Sequence, residues 1–412
     1  MTPEVLLRKI FDEALAAVQP SICLPKYIPN PPLGRTIVLG AGKASAAMAK
    51  VLEEKWSGPL EGLVITRYGH KIENGRIHIV EASHPVPDQI GLKASQRILE
   101  YTKDLTSRDL VIVLISGGGS SLLTLPANGL SLDDKKKINI ALLKSGAPIS
   151  SINCVRKHIS AIKGGRLARS VAPARLETLI ISDVPGNDIA TIASGPTVPD
   201  PTTFEEAISI IKKYNIVMPH NALIHLEKGV DESPKPGDKC FANTSTKLIA
   251  TPAIALNAAK EFAINAGYKV LLLGDMVEGE ARVIASEHAK QALAAKQGTI
   301  IISGGELTVT LTGNGAGGPN TEYCLALARK LNGAPNIYAL ACDTDGIDGS
   351  EDNAGALIGP DTLKKAANIK LKPNHYLRSN NSYKFFKKID GLIHTGPTYT
   401  NVNDFRAILI EK

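Results

Sequence analysis

Short apolar runs alternate with amphipathic stretches of helix length along almost the whole chain, the pattern of βα units built around a largely parallel sheet. In the first half, residues 36–39, 63–66, 78–81, 110–115 and 176–181 read as strands, and a long helical pattern covers 153–170. A polar, proline-containing stretch at 231–239 (DESPKPGDK) breaks the rhythm and reads as a linker. Beyond it, residues 247–250, 269–273, 299–302 and 337–341 read as strands of a second α/β unit, with 307–311 as a hairpin partner. Residues 404–410 form a last strand able to return to either unit, and no internal repeat is visible.

A length of 412 residues supports two domains, because a single core rarely grows to that size. With 43% hydrophobic and 21% charged residues, the chain is neither disordered nor fibrous. The net charge of +7 suits nucleic acid, a membrane surface or a small anion, and its distribution separates these. Lysines and arginines are scattered singly or in short runs such as Lys135-Lys136-Lys137, with no basic arm and no interleaved aromatic platform, so a small anion is favoured over nucleic acid. The first residues carry acids inside an amphipathic helical pattern, unlike a signal peptide, and no apolar run approaches the ~18 residues of a membrane helix. Five cysteines without CxxC spacing fit reduced thiols, and a cytoplasmic location is expected.

In open α/β sheets ligands bind at the C-terminal ends of strands, so the turns after each run carry the candidate chemistry. The first is Gly40-Ala41-Gly42-Lys43-Ala44-Ser45, where glycines admit a phosphate close to the backbone and Lys43 adds a mobile positive charge; a purely structural tight turn is the alternative. Ser45 replaces the third glycine of a dinucleotide fingerprint, and the next strand ends in Thr66-Arg67 instead of an acid. Ala44 after the lysine excludes a Walker A loop. The second turn, Ser116-Gly117-Gly118-Gly119-Ser120-Ser121, places three glycines in a row, costly unless backbone amides face an anion.

Two further turns carry acids: Ser182-Asp183-Val184-Pro185-Gly186-Asn187-Asp188 and Asp343-Thr344-Asp345-Gly346-Ile347-Asp348-Gly349. One or two such carboxylates suit Mg²⁺ beside substrate phosphates, with Asx turns as the alternative for each. Asn153, Arg156 and Lys157 fall within one helical turn, and Arg156 can clamp a carboxylate through two parallel hydrogen bonds; a solvated basic face is the alternative. His84 in the HPVPD segment reads as part of a rigid proline turn. In the second half, Ser303-Gly304-Gly305-Glu306 follows a strand, Gly317-Gly318-Pro319-Asn320-Thr321-Glu322 opens a helix, and the loop from Thr395 to Asp404 is rich in side-chain donors.

Together these segments resemble the glycerate 2-kinase family, whose C-terminal part is called the MOFRL domain and which has also been labelled hydroxypyruvate reductase. The resemblance rests on GAGKAS, HPVPD, LISGGGSSLL, INCVRKHISAIKGGRLA, SDVPGNDIATIASGPTVPD, SGGE, DTDGIDG and TGPTYTNVND, in this order, over nearly the whole chain. It implies an α/β protein of two domains, a Rossmann-like one (1–235) and a smaller MOFRL-type one (240–412), with the active site in the cleft between them. It also implies ATP- and Mg²⁺-dependent phosphorylation of D-glycerate at the 2-hydroxyl, giving 2-phosphoglycerate and ADP, by a monomer or small homo-oligomer.

On this reading Lys43, Asp183 and Asp345 are catalytic candidates, and the two aspartates are also the metal candidates. Ser116, Gly117, Gly118, Gly119, Ser120, Asn153, Arg156, Lys157 and Asn320 are candidates for binding substrate or phosphate. Gly40, Gly42, Gly304, Glu306, Thr398 and Asn401 are candidates for binding ATP. The chain departs from the family at Pro319, where GGRNQE usually supplies an arginine, at Asn187, usually aspartate, and at Tyr399, usually glycine. Two other readings stay open: an NAD(P)H-dependent hydroxypyruvate reductase, against which the missing third glycine and ribose carboxylate count, and a non-catalytic sugar-acid or nucleotide-binding protein, which Pro319 favours.

Overall fold

The computed structural model describes residues 1–73 and 75–412. The chain forms two units, one of Cys23–Ser182 with Asn187–Ile249, the other of Met1–Ile22, Asp183–Gly186 and Ala250–Lys412. In the first unit six strands, β1 (Thr36–Ala41), β2 (Glu61–Arg67), β3 (Ile77–Ala82), β4 (Leu110–Ile115), β5 (Arg175–Ile181) and β6 (Thr244–Ala250), lie in the order β3-β2-β1-β4-β5-β6. The first five pair in parallel. Every residue of β1 and β4 is buried, as expected of central strands in a sheet covered on both faces, which is why both read as unbroken apolar runs. This is the Rossmann strand order, and it reverses between β1 and β4. The register there, Gly40 opposite Leu114 and Ala41 opposite Ile115, makes the GAGKAS and SGGGSS turns leave the sheet side by side at the switch point.

Three expectations for this unit are corrected. The DESPKPGDK stretch is folded in: Ser233 Oγ donates to Asp200 Oδ2 at 3.0 Å, Asp200 N donates to Pro234 O at 2.9 Å, and Glu232 lies 2.9 Å from the buried His158 Nε2. Its linker-like composition serves to satisfy buried polar groups. Residues 247–250 belong to β6, beside β5, and extend this sheet instead of opening the second. The 153–170 helix is two helices, Ile149–His158 and Arg166–Val171, interrupted by Gly164 and Gly165 at φ 56° and 78°, which a right-handed helix cannot continue through.

In the second unit β7 (Lys269–Leu272), β9 (Thr299–Gly305), β11 (Ile337–Asp343), β12 (Gly355–Ile358), β13 (Leu392–Ile393) and β14 (Asp404–Ile410) form a mixed sheet in the order β13-β12-β11-β14-β9-β7. The last strand enters its middle, antiparallel to both β9 and β11. Residues 307–311 do not fold back on β9: Gly305, at φ 113°, turns the chain away, and β10 (Leu307–Thr308) pairs in parallel with β8 (Gly279–Glu280). The helix Pro3–Ala17, capped by Thr2, buries Leu6, Leu7, Ile10, Phe11 and Ala14 along one stripe, and the Phe11 ring lies 5.6 Å from that of Phe405 on β14. Residues 1–22 therefore pack with the C-terminal part of the chain, and the division differs from 1–235 and 240–412 at both ends of the first unit. All five cysteines are free thiols, and among the described residues no helix is long and apolar enough to cross a membrane.

Candidate functional site

The two glycine turns of the first unit are built against each other. A Cβ on Gly40 would sit 2.3 Å from the Leu114 carbonyl oxygen, and one on Gly42 2.1 Å from Ser116 Oγ, so close strand and loop packing is itself a reason for glycine at these positions. Lys43 N donates to Gly117 O at 2.8 Å, Ala44 N donates to Ser116 Oγ at 2.9 Å, and the Ser45 and Ser116 hydroxyls are 3.1 Å apart. Gly118 takes φ 79°, and a Cβ there would touch the His84 ring at 3.0 Å and the Lys43 stem at 3.4 Å. Lys43, His84 and the triple glycine turn are thus one contact set.

Next to it lies a cavity of about 90 Å³ lined by Pro85, Pro87, Ser120, Ser121, Thr124, Lys135, Asn139, Leu142, Arg156, Ile159 and Lys163, with room for several water-sized groups. Among the described residues, three cations and no acid line it. The helix Leu132–Lys144 delivers Lys135, Asn139 and Leu142 along one stripe, and its start is fixed by a capping box in which Ser131 Oγ accepts from Asp134 N and Asp134 accepts from Ser131 N, both at 3.0 Å. Arg156, near the end of the helix Ile149–His158, donates to Asn139 Oδ1. Lys163 reaches Ser120 O at 2.6 Å, Ser120 Oγ at 3.0 Å and Ala193 O at 3.4 Å, while Ser120 Oγ lies 2.9 Å from Ser194 Oγ. Ala193 and Ser194 hold φ of 52° and 61°, a strained backbone kept by these bonds.

The electrostatics of this cavity suit an anion. Lys135 Nζ and Thr124 Oγ1 are buried with no hydrogen-bond partner. Burial, helped by the Arg156 charge, pushes the Lys135 ammonium down to about 7, and burial with the charges of Lys135 and Arg156 pushes Lys163 well below the ordinary lysine value. A buried unpaired charge costs several kcal/mol, which a bound anion would offset. Of the residues expected here, Ser120 and Arg156 line the cavity. Lys157 does not: it is buried in an ion pair with Asp200 at 3.4 Å, and Asn153 is buried on the same helix without lining the cavity. Lys135, Thr124 and Lys163 were not anticipated. The (i, i+4, i+7) spacing of Lys135, Asn139 and Leu142 is the signal that marks the helix face.

In the second unit the expected acids converge on the Thr395–Asp404 loop. Asn401 Nδ2 donates to Asp183 Oδ2 at 3.1 Å and Asn403 Nδ2 to Asp183 O at 2.8 Å. Thr398 N donates to Asp345 O at 3.2 Å, and Asp345 Oδ1 accepts from Ile347 N at 2.8 Å. Asn320 is fully buried, its Nδ2 donating to Asp404 Oδ1 at 2.7 Å and to Asp348 Oδ1 at 3.3 Å, while its Oδ1 has no hydrogen-bond partner among the described residues. Gly304 sits within β9, its N donating to Gly274 O at 2.9 Å, and Glu306 is exposed just beyond. Arg406 holds Asp404 at 3.3 Å; burial pushes the carboxyl up and the guanidinium down, and each is the largest influence opposing that on the other. Among the described residues no group of three or more His, Cys, Asp or Glu is arranged around a metal, so any Mg²⁺ here would rest on one or two carboxylates and on substrate phosphates.

The family described as "Domain of unknown function (DUF4147)" matches residues 6–227, and the MOFRL family matches residues 299–404. A glycerate 2-kinase of Pyrococcus horikoshii is 39% identical over 92% of this chain and 88% of its own. The crystal structure of a glycerate kinase from Thermotoga maritima superposes with a TM-score of 0.88 at 37% identity, covering 99% of this chain and 100% of that one. The chain belongs to the glycerate 2-kinase family. A protein of Agrobacterium vitis named "Putative hydroxypyruvate reductase" is 51% identical over 98% of this chain and 94% of its own. Family membership makes the chain a kinase that takes a nucleotide and a small-molecule substrate.

The departures from the family pattern at Pro319 and Asn187 have local explanations. Pro319 is the first residue of the helix Pro319–Leu331, where its missing N–H is not needed. Asp348 caps that helix by accepting from Asn320 N at 2.9 Å and Thr321 N at 2.8 Å. The arginines of this unit that are tied to the helix and its surroundings, Arg282 and Arg406, are committed to Glu322 and Asp404. Asn187 stands at φ 56°, left-handed backbone that asparagine tolerates; Tyr399 stands at φ 58°, where glycine is favoured, and nothing in the structure explains the tyrosine.

Proposed function

We propose that this chain transfers the γ-phosphoryl group of ATP to the 2-hydroxyl of D-glycerate, giving 2-phosphoglycerate and ADP, with Mg²⁺ required. The observation that carries this reading is the cavity with three cations, no acid and an unpartnered buried ammonium, set beside the Lys43 and triple glycine turns. Its size suits a three-carbon acid. Arg156 holds the glycerate carboxylate through its planar fork, Ser120 and Ser121 offer hydroxyls to the same group, and Lys43 approaches from the switch point to meet charge developing on the transferring oxygens. Phosphoryl transfer asks the protein mainly for alignment and charge neutralisation, and these residues provide both. Asp183 and Asp345, oxygen donors tied to one polar loop, are suited to hold Mg²⁺, which when bound neutralises phosphate oxygens. A cytoplasmic monomer or small homo-oligomer goes with this reading.

A phosphate-transfer assay with D-glycerate, ATP and Mg²⁺, with the product identified as 2- or 3-phosphoglycerate, tests it. Formation of 3-phosphoglycerate or of no phosphorylated product would overturn it. The Agrobacterium vitis relative justifies a parallel assay with hydroxypyruvate and NADH, in which steady NADH oxidation would favour the reductase.

A further inference from the structure

A glycerate carboxylate carries one negative charge, and on the reading above, on which this inference rests, Arg156 matches it alone. Lys163 is already surrounded by neutral acceptors, the Ser120 carbonyl and hydroxyl and the Ala193 carbonyl. Lys135 is then left over. Its Nζ is buried without a partner, the buried Thr124 Oγ1 in the same lining also has none, and no carboxylate lines the cavity to balance either. A cavity with one cation more than a monoanion can use, and an unused hydroxyl beside it, is matched to a second negative charge on the ligand.

We propose that Lys135 and Thr124 form a phosphate-reading half of this cavity, so that it binds dianionic phosphate, free or as the phosphoryl group of a phosphorylated three-carbon acid, more tightly than the unphosphorylated acid. The reaction product then competes with its own substrate, and free phosphate does the same.

Calorimetric titration of the full-length protein with inorganic phosphate, 2-phosphoglycerate and glycerate, in wild type, Lys135→Met and Lys135→Arg, tests this. Both phosphates are expected to bind wild type and to displace glycerate. Lys135→Met should weaken both at least about tenfold, and clearly more than it weakens glycerate, and Lys135→Arg should recover most of the loss. Equal weakening of all three ligands, or glycerate binding without phosphate binding in wild type, would overturn the inference and leave the kinase reading standing. Binding of inorganic phosphate without 2-phosphoglycerate would overturn product competition. Phosphate binding that depends on Lys135 would support the inference even if glycerate were not turned over, a result that would count against the proposed function instead.

Discussion

Both units bury paired charge, as Lys157 and Asp200 do in the first, but the first also holds a cluster of cations with no counter-ion lining its cavity. In the second unit Arg406 and Asp404 face each other, Asn320 spans Asp404 and Asp348, and Asp348 closes the start of a helix, so these buried charges meet protein partners. In the first unit Lys135, Arg156 and Lys163 share a cavity with no acid at all. Buried charge with a counter-ion serves the scaffold, and buried charge without one is suited to an anion that arrives. The network around Asp404 stabilises the sheet at the cost of being unable to respond. On the proposed reading the cavity gives up stability in exchange for the ability to take an anion.

The largest effect expected from breaking this contrast is at Arg406. Replacing it by Met strands the Asp404 carboxylate, and denaturant unfolding should show a loss of about 3–5 kcal/mol. Arg156→Gln, at the other kind of site, should leave unfolding nearly unchanged while lowering kcat/KM for glycerate about 100-fold, because a charge-assisted clamp is lost and no protein carboxylate is orphaned. Lys135→Met should raise the stability of the ligand-free protein by about 1 kcal/mol, since it removes an unpaired buried cation. The sign of its pH dependence follows from the direction of the shift. Folding lowers the Lys135 value from 10.5 to about 7, so its penalty is fully present below about pH 7 and fades as pH rises toward 10.5. Wild type should therefore gain stability with pH across that window, and Lys135→Met should flatten the gain. The smallest effect is protonic: at about pH 8, phosphate binding should take up a fraction of one proton as Lys135 recharges, measurable by calorimetry in buffers of different ionisation enthalpy.

The fold was legible wherever local signals and tertiary needs agreed. The runs that became β1, β4 and β9 are buried on both faces, and their apolar continuity survives into three dimensions. It failed where tertiary satisfaction overrode composition: the proline-rich stretch at 231–239 looks like a linker because its polar groups serve buried partners such as Asp200 and His158. For the site, the glycine turns and Arg156 could be read from position after a strand or on a helix face. Lys135 could not, because its run of three lysines looks solvated, and only packing decides that its ammonium is buried while Lys136 and Lys137 stay outside the cavity. Lys163 was hidden inside a helical pattern that glycines at 164 and 165 interrupt.

The helix Pro3–Ala17 packs in the second unit against the helix Pro252–Asn265 and near Phe405, residues separated from it along the chain by the entire first unit. During synthesis this helix leaves the ribosome long before the segments it packs against. At about 5–20 residues per second its apolar stripe waits on the order of ten to fifty seconds for the helix beginning at Pro252 to emerge, while the β1–β6 sheet can assemble in the interval. The stripe of Leu6, Leu7, Ile10 and Phe11 is thus apolar surface that the nascent chain must keep from aggregating through that interval.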